Sequence, residues 1–248
     1  MKGKVALITG AGKRIGRALA IALADEGVHI VVHERAGLEA EAAKVSAEVV
    51  DCGAKSWRLF ADLEKPEEYE SLIERALAAA GSLDILINNA SLFLPTSLMD
   101  MDFNDVSRHM QVNAWTPLVL SRDFARKVGR GKIINLLDTR IDGSDQAHVA
   151  YILSKQMLAS LTRMSALEFA PDITVNGVAP GLVLPPPGKE EDYLDQLAHN
   201  VPLRRHGGPR DISDAVLYLL RAEFVTGQII YLDGGRNLRE EQHGQDHH

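Results

Sequence analysis

The chain has one cysteine in 248 residues, no apolar run approaching the ~20 residues of a membrane-spanning helix, and no excess of basic charge. Cys52 has no intrachain partner, so no disulfide braces the fold; this suits a reducing compartment and reads as a helix-end residue rather than a nucleophile. With 27 Lys and Arg against 34 Asp and Glu, the formal net charge of −7 gives no support to nucleic-acid binding, which shows as a basic patch or stripe. No basic n-region followed by an apolar h-region opens the chain, so neither secretion nor membrane association is expected and a cytoplasmic location is. The nine histidines show no ligand spacing inside the fold, so no metal site is expected. There is no internal repeat, no linker, and little biased sequence beyond Pro185-Pro186-Pro187 and a polar tail. That tail, residues 239–248 with His243, His247 and His248, is expected to be disordered.

An apolar content of 46% is ample for a core, and the length fits one α/β domain over residues 1–238. Apolar runs at Val5 to Ile8, Ile30 to Val32, Leu83 to Ile87 and Ile133 to Leu137 alternate with amphipathic stretches such as Tyr69, Leu72, Ile73, Ala76, Leu77 and Ala80. Strand alternating with helix predicts a Rossmann-type doubly wound parallel sheet covered by helices on both faces.

The first strand, Val5 to Thr9, runs directly into Gly10-Ala-Gly12-Lys-Arg14-Ile-Gly16, and Ile15, Ala18, Leu19, Ala22 and Leu23 follow at helical spacing. Glycines in a strand-to-helix turn permit a tight bend and a close backbone approach to a pyrophosphate, and the helix N-terminus favours an anion. A dinucleotide is implied. Its type turns on the end of the second strand, His33-Glu34-Arg35, where a carboxylate would bind a ribose 2′-hydroxyl and an arginine a 2′-phosphate. Arg14 and Arg35 favour NADPH, since a guanidinium offers a planar fork to phosphate oxygens. Glu34 argues for NADH, unless it faces solvent in salt contact with Arg35.

Tyr151 and Lys155 stand four residues apart in an Ala- and Leu-rich stretch, one turn apart on one helix face. An ammonium within a few Å favours the phenolate and brings a phenol of pKa ~10 toward working pH, so the pair can exchange a proton with a reducible bond. Many helices carry such a pair for structural reasons. Here the glycine turn accompanies it.

Thr9-Gly10-x-x-x-Arg14-Ile-Gly16, Asn88-Asn89-Ala90, Asn113, Tyr151/Lys155 and Pro180-Gly181 resemble the short-chain dehydrogenase/reductase family in order and distance, from Lys4 to about Asn237. The resemblance implies an oxidoreductase whose cofactor meets Gly10, Gly12, Arg14, Ile15, Gly16, His33, Arg35, Asp62, Leu63, Asn89, Ala90, Ser91, Tyr151, Lys155, Pro180 and Gly181. It implies that Asn113 completes a proton relay through water to Lys155, a role compatible with bonding backbone in a kinked helix. It also implies a homotetramer built on the helix Asp211 to Leu220 and a last strand Gln228 to Leu232, in keeping with the closed symmetry of most oligomers.

Asp138, thirteen residues before Tyr151, departs from the general pattern, in which a serine holds the substrate carbonyl. Thr139 beside it is expected to face the other way. A carboxylate repels a developing oxyanion unless it is protonated, and it suits a substrate bearing N–H groups. A buried Asp138 of raised pKa could shuttle a proton to a ring nitrogen. Asp138 with Tyr151 and Lys155, and the segment Asn88 to Thr96, look like pteridine reductases; Gly143 to Tyr151 and Leu232 to Leu238 look like bacterial dihydromonapterin and dihydrofolate reductases. That likeness implies NADPH-dependent reduction of a pterin. Phe93 would stack on the pterin, or else anchor its loop in the core, and Ser91 and Arg14 would bond the pterin edge or a cofactor phosphate. His148 either lines the pocket or is a satisfied surface residue. The proline-rich lid after Gly181, followed by a short helix through Leu194 and Leu197, fits a small flat heterocycle. Two other readings stay open: a reductase of ketones or β-ketoacyl thioesters, and a non-catalytic NADPH-binding module.

Overall fold

A computed structural model describes residues 1–143, 145–185, 188 and 192–238; Pro186, Pro187 and the tail at 239–248 lie outside the described residues. In chain order the elements are β1 (Val5–Thr9), α1 (Arg14–Asp25), β2 (His29–Glu34), α2 (Glu39–Asp51), β3 (Ser56–Phe60), α3 (Pro66–Tyr69), α4 (Leu72–Ala80) and β4 (Ile85–Asn88). Then come α5 (Phe103–Met110), a π-turn (Gln111–Trp115), α6 (Thr116–Lys127), β5 (Gly131–Leu136), a 3₁₀ turn (Thr139–Asp142) and α7 (Val149–Glu168). The chain ends with β6 (Ile173–Pro180), α8 (Asp192–Ala198), α9 (Pro209–Arg221), β7 (Ile229–Leu232) and a second 3₁₀ turn (Arg236–Leu238).

The strands form one sheet in the order β3-β2-β1-β4-β5-β6-β7, and every pairing is parallel. The alternation of side chains along β1 sends Ala6 and Ile8 toward Leu19 and Leu23 of α1, Val45 of α2 and Val216 of α9. Val5 and Leu7 go the other way, to Ile73 of α4 and to Leu120 and Phe124 of α6. Both faces are therefore covered, which is why β1 reads as an unbroken apolar run. The doubly wound parallel sheet expected from the sequence is the fold found. Among the described residues no helix is long and apolar enough to cross a membrane.

Several boundaries differ from expectation, β7 and α9 among them by one or two residues at their ends. β4 starts at Ile85, because the Asp84 side chain bonds the Val5 amide at 2.9 Å where a further strand residue would stand. β5 starts at Gly131 and stops at Leu136. The single helix expected around Tyr69 to Ala80 is two, α3 and α4, with Glu70 and Ser71 between them; Tyr69 is thereby buried and its hydroxyl accepts from Gln111 Nε2 at 2.8 Å.

The glycine turn is tied to the sheet by His33. Its Nδ1 accepts from Gly10 N (3.4 Å) and its Nε2 lies 3.1 Å from Ala61 O, so the proton sits on Nε2. Burial is the main cause of its pKa falling to about 4, with the Arg75 charge adding to it and the Ala61 bond opposing it. The folded protein refuses a proton that the unfolded chain accepts near pH 6.5. The stabilisation is whole above that pH, is lost progressively down to about 4, and amounts to about 3 kcal/mol. In urea unfolding at stepped pH, His33→Gln is expected to lose the slope between pH 6.5 and 4; an unchanged slope would assign it to other groups.

Candidate functional site

At the end of β1 the backbone turns sharply, with Gly10 at φ +64° and Arg14 at φ +53°. A Cβ on Gly10 would lie 3.0 Å from Ala90 Cα, and one on Gly16 would lie 2.1 Å from Gly10 O. Only glycine lets the turn close so tightly against the end of β4. The first turn of α1 has neither a side-chain cap nor an acidic residue, leaving its amides for an anion. Ile15 packs against the core behind it.

Glu34 corrects one of the two expectations placed on it. It neither faces solvent nor pairs with Arg35: it is buried, and its Oε1 accepts from Gly12 N at 2.8 Å. The carboxylate satisfies an amide of the turn. His33 is likewise enclosed, with both ring nitrogens engaged inside the protein. Arg35, in contrast, is exposed and lines a cavity of about 300 Å³ with Asp62, Lys65 and Glu68, at the carboxyl ends of β2 and β3. Lys65, which the sequence reading passed over, bonds Glu68 at 2.9 Å and approaches Asp62 to 3.7 Å. Leu63 is buried, and its carbonyl accepts from Thr116.

Asn89 and Ala90 are knit to β1: Asn89 Nδ2 donates to Thr9 O (2.8 Å) and Gly10 O (3.0 Å), and Ala90 N donates to Thr9 Oγ1 (3.0 Å). At the end of β6, a Cβ on Gly181 would stand 2.6 Å from Asp233 Cβ, so the lid leaves the sheet hard against the β7 turn. Arg14 reaches across to this lid, Nη2 donating to Pro185 O at 2.8 Å.

α7 carries Tyr151 and Lys155 into the interior. Lys155 Nζ donates to Leu136 O at 2.6 Å and lies 5.8 Å from the centre of the Tyr151 ring. Burial lowers its pKa to about 8, against the raising effect of Asp138. The Tyr151 hydroxyl does not turn to the ammonium; it donates to Asp138 Oδ2 at 3.0 Å. Its pKa is therefore held well above the usual value, by burial first and by the Asp138 charge second, the reverse of the direction expected from Lys155 alone. Asp138 also departs from expectation. Burial raises its pKa, but the Arg140 fork and charge outweigh burial and leave it below the ordinary carboxylate value.

Arg140 is the residue that sequence reasoning missed. Its Nε donates to Asp138 Oδ1 and its Nη2 to Asp138 Oδ2, both at 2.9 Å, while its Nη1 bonds Asp145. Thr139, facing the other way as expected, donates to the buried Asp233.

Phe93 stands at this centre. Its ring is stacked on His148 at 4.2 Å and meets the Tyr151 ring edge-on at 4.7 Å. His148, half-buried, lies 3.2 Å from Asp145 Oδ2. Asn113, in the π-turn, has its side chain fully used: Nδ2 donates to Leu92 O and Ser154 Oγ (each 2.9 Å), and Oδ1 accepts from Leu92 N (2.7 Å) and Ser91 Oγ (3.2 Å). Pro117 has no N–H to give to the Asn113 carbonyl four residues earlier, and the Thr116 amide bonds Gln111 O five residues back. Thr96 completes the loop, its hydroxyl accepting from Ala150 N at the start of α7 (3.0 Å).

A buried Tyr151/Lys155 pair and a glycine turn with open amides, both at the carboxyl edge of a parallel sheet, agree with an oxidoreductase. The chain belongs to the short-chain dehydrogenase/reductase family: the family model described as enoyl-(acyl carrier protein) reductase matches residues 10–237. It is 33% identical to the 3-oxoacyl-(acyl-carrier-protein) reductase FabG of Staphylococcus epidermidis, with 94% of this chain and 98% of the relative covered. Among solved structures it is similar to FolM alternative dihydrofolate reductase 1 from Brucella canis complexed with NADP, at 32% identity and TM-score 0.88, covering 97% and 96% of the two chains. The Brucella suis FolM, also in complex with NADP, matches at 31% identity and TM-score 0.90, with 97% of each chain covered.

Replacing Asn113 by alanine strands the Leu92 amide and carbonyl, and a buried polar group left unmade costs about 1–3 kcal/mol. Asn113→Ala is expected to lower the urea midpoint accordingly and to speed amide exchange at Leu92; wild-type exchange there would show that the side chain does not hold the loop.

Proposed function

We propose that this protein is an NADPH-dependent reductase of a pterin, taking a dihydropterin, or dihydrofolate, to its tetrahydro form. The observation that carries this reading is the Asp138 carboxylate bonded to the Tyr151 hydroxyl at 3.0 Å. An anion at that place opposes the negative charge that develops on a carbonyl oxygen during reduction, and it favours a substrate edge that donates N–H bonds. The FolM structures, 31–32% identical, support the same reading.

The residues present fit NADPH. Gly10, Gly12 and Gly16 let the turn close tightly on Ala90, on Glu34 and on itself, the first turn of α1 holds no competing acid, and Glu34 is occupied by Gly12 N. Arg35 beside the cavity would offer a guanidinium to a 2′-phosphate, Lys65 being paired with Glu68, while Asp62 and Leu63 would meet the adenine and Arg14 the phosphates or the substrate. Asn89, Ala90, Pro180 and Gly181 would line the rest of the groove. When bound, the reduced nicotinamide supplies a hydride.

The chain's own part is the proton. Tyr151, kept as a neutral phenol, gives its proton to the ring nitrogen of the C=N bond being reduced, and Lys155 stabilises the phenolate left behind. An imine nitrogen is far more basic than a ketone oxygen, so an acid as weak as this phenol serves the former better. Replenishment of the proton through water falls to the Asn113 carbonyl and Lys155, because the Asn113 side chain is fully bonded to protein. Phe93 and Ser91 would hold the heterocycle, with the Phe93 ring already against Tyr151.

A second reading, reduction of a ketone or β-ketoacyl thioester, is favoured by the likeness to FabG. Loss of NADPH absorbance with 7,8-dihydrobiopterin or dihydromonapterin, beside a carbonyl panel and an NADH control, separates the two. Oxidation with the pterin and not the carbonyls is expected; turnover of carbonyls alone overturns the proposal. Tyr151→Phe is expected to lose at least about 100-fold in kcat while still binding NADPH.

We also propose a homotetramer located in the cytoplasm. The outer face of α7 leaves Met164 and Leu167 64% and 83% exposed, and Phe224, just after α9, is fully exposed, so two apolar regions are open to further copies. Light scattering is expected to give about four times the 27.1 kDa chain mass; a particle of one chain mass would contradict it.

A further inference from the structure

We infer that Arg140 is a positioning residue for the reaction, whose fork holds Asp138 as an oriented anion against the Tyr151 hydroxyl and thereby sets the preference for an N–H-bearing substrate over a carbonyl. The inference rests on the reading that Asp138 works with Tyr151.

The geometry is that of a chelate. Asp138 Oδ1 receives both the Arg140 backbone amide and Nε at 2.9 Å, and Oδ2 receives Nη2 at 2.9 Å. Two parallel bonds from a planar guanidinium fix the plane of the carboxylate as well as its place. Oδ2, the oxygen that takes Nη2, is also the one that accepts from Tyr151.

The clamp is itself clamped. Arg140 Nη1 bonds Asp145, whose Oδ1 accepts from Ala147 N (2.7 Å) and His148 N (3.1 Å). On the far side, the turn carrying Asp138 is tied to β7 and the loop after it through Thr139 to Asp233 and Tyr231 to Asp142. Among the described residues, the ionisable groups around Asp138 are Arg140 on its own turn and Tyr151 and Lys155 on α7, with Asp145 and His148 beyond the guanidinium; the Phe93 loop presents a ring.

Stability does not account for this arrangement. A buried ion pair gains little over a well-packed apolar pair, because desolvation offsets the attraction. Here three charged side chains, 14–24% exposed, are kept in contact immediately beside the reacting hydroxyl. Without the guanidinium, the burial that raises the Asp138 pKa would be opposed by the Arg140 backbone amide and the Tyr151 bond, and the carboxyl would hold its proton to higher pH. A protonated Asp138 donates, as a carbonyl oxygen requires; an ionised one accepts, as an N–H requires.

The test compares wild type with Arg140→Met, which keeps the length of the side chain without the fork, and Arg140→Lys, which keeps the charge. With dihydropterin, the acid limb of kcat/KM is expected to move to higher pH by about 1–3 units in Arg140→Met and by less in Arg140→Lys. The carbonyl-to-pterin ratio of kcat/KM is expected to rise at least several-fold, with NADPH affinity unchanged. An acid limb and a substrate ratio that coincide with wild type, whatever the loss in rate, overturn the inference. If wild type reduces only carbonyls, the proposed function fails separately. Asp138 is then followed directly by ¹³C carboxyl titration of the NADPH-bound protein, its resonance identified by its absence in Asp138→Asn. Titration at higher pH in the Arg140 variants than in wild type upholds the clamp, and coincident titrations overturn it. Should Arg140→Met not fold, Arg140→Lys decides by the same readouts.

Discussion

Both halves of the site hang from the place where β1 and β4 end side by side, and Thr9 closes that place. Its hydroxyl accepts from the amides of Asn89 and Ala90 and donates to the Ile87 carbonyl, while its own carbonyl takes the Asn89 side chain. In a parallel sheet the strand order reverses here, so the chains leaving β1 and β4 part to opposite faces and a crevice opens between them. One departing chain makes the glycine turn; the other makes the loop bearing Ser91 and Phe93. A loosened join at Thr9 would shift the anion-binding amides relative to Tyr151, and hydride transfer tolerates little error of that kind.

The second loop would be free on its outer side but for three anchors of different chemistry. Asn113 takes the Leu92 amide and carbonyl, His109 Nε2 accepts from the Leu94 amide at 3.3 Å, and Thr96 pairs with the start of α7. His109 can accept there because its Nδ1–H is spent on Asp105 O at 2.7 Å. The π-turn supplies the first of these anchors. By widening the helix at Gln111 to Trp115 it turns Asn113 inward, onto both the loop and Ser154 of α7. Phe93 thus meets Tyr151 through a chain of backbone bonds, not through the contact of the two rings alone.

What the sequence displayed clearly was whatever local chemistry leaves no second choice. Residues 5–8 are apolar without alternation, and after Thr9 the glycines follow at once; a buried strand and a tight turn satisfy both facts together. Tyr151 and Lys155 are read with equal ease, since helical spacing alone brings them to one face. Glu34 was ambiguous because it ends a strand: period two places it toward the turn or toward solvent, and the amide left open at Gly12 decided. The break between α3 and α4 was hidden because apolar spacing continues across it. Pro117 was a visible sign of the altered helix at Asn113, four residues away, but its meaning needs the neighbouring loop.

Arg140 was invisible for a different reason. It lies in a polar run, Asp138-Thr-Arg-Ile-Asp-Gly-Ser-Asp145, in which any arginine reads as a solvated turn residue. Only the fold reveals that Asp138, Arg140 and Asp145 of this run are largely covered. Once water is displaced, attraction between Arg140 and the two aspartates is much less screened, and the charge states of the whole centre become mutually dependent. Burial and the Asp138 charge hold Tyr151 protonated, Arg140 outweighs the burial that raises Asp138, and Asp138 acts against the burial that lowers Lys155. Spacing alone gives the pair Tyr151/Lys155 no preference for one reducible bond over another. The environment that fixes which of its groups holds the proton is therefore where this chain's own chemistry is decided, and that environment comes from a turn of eight residues rather than from the pair.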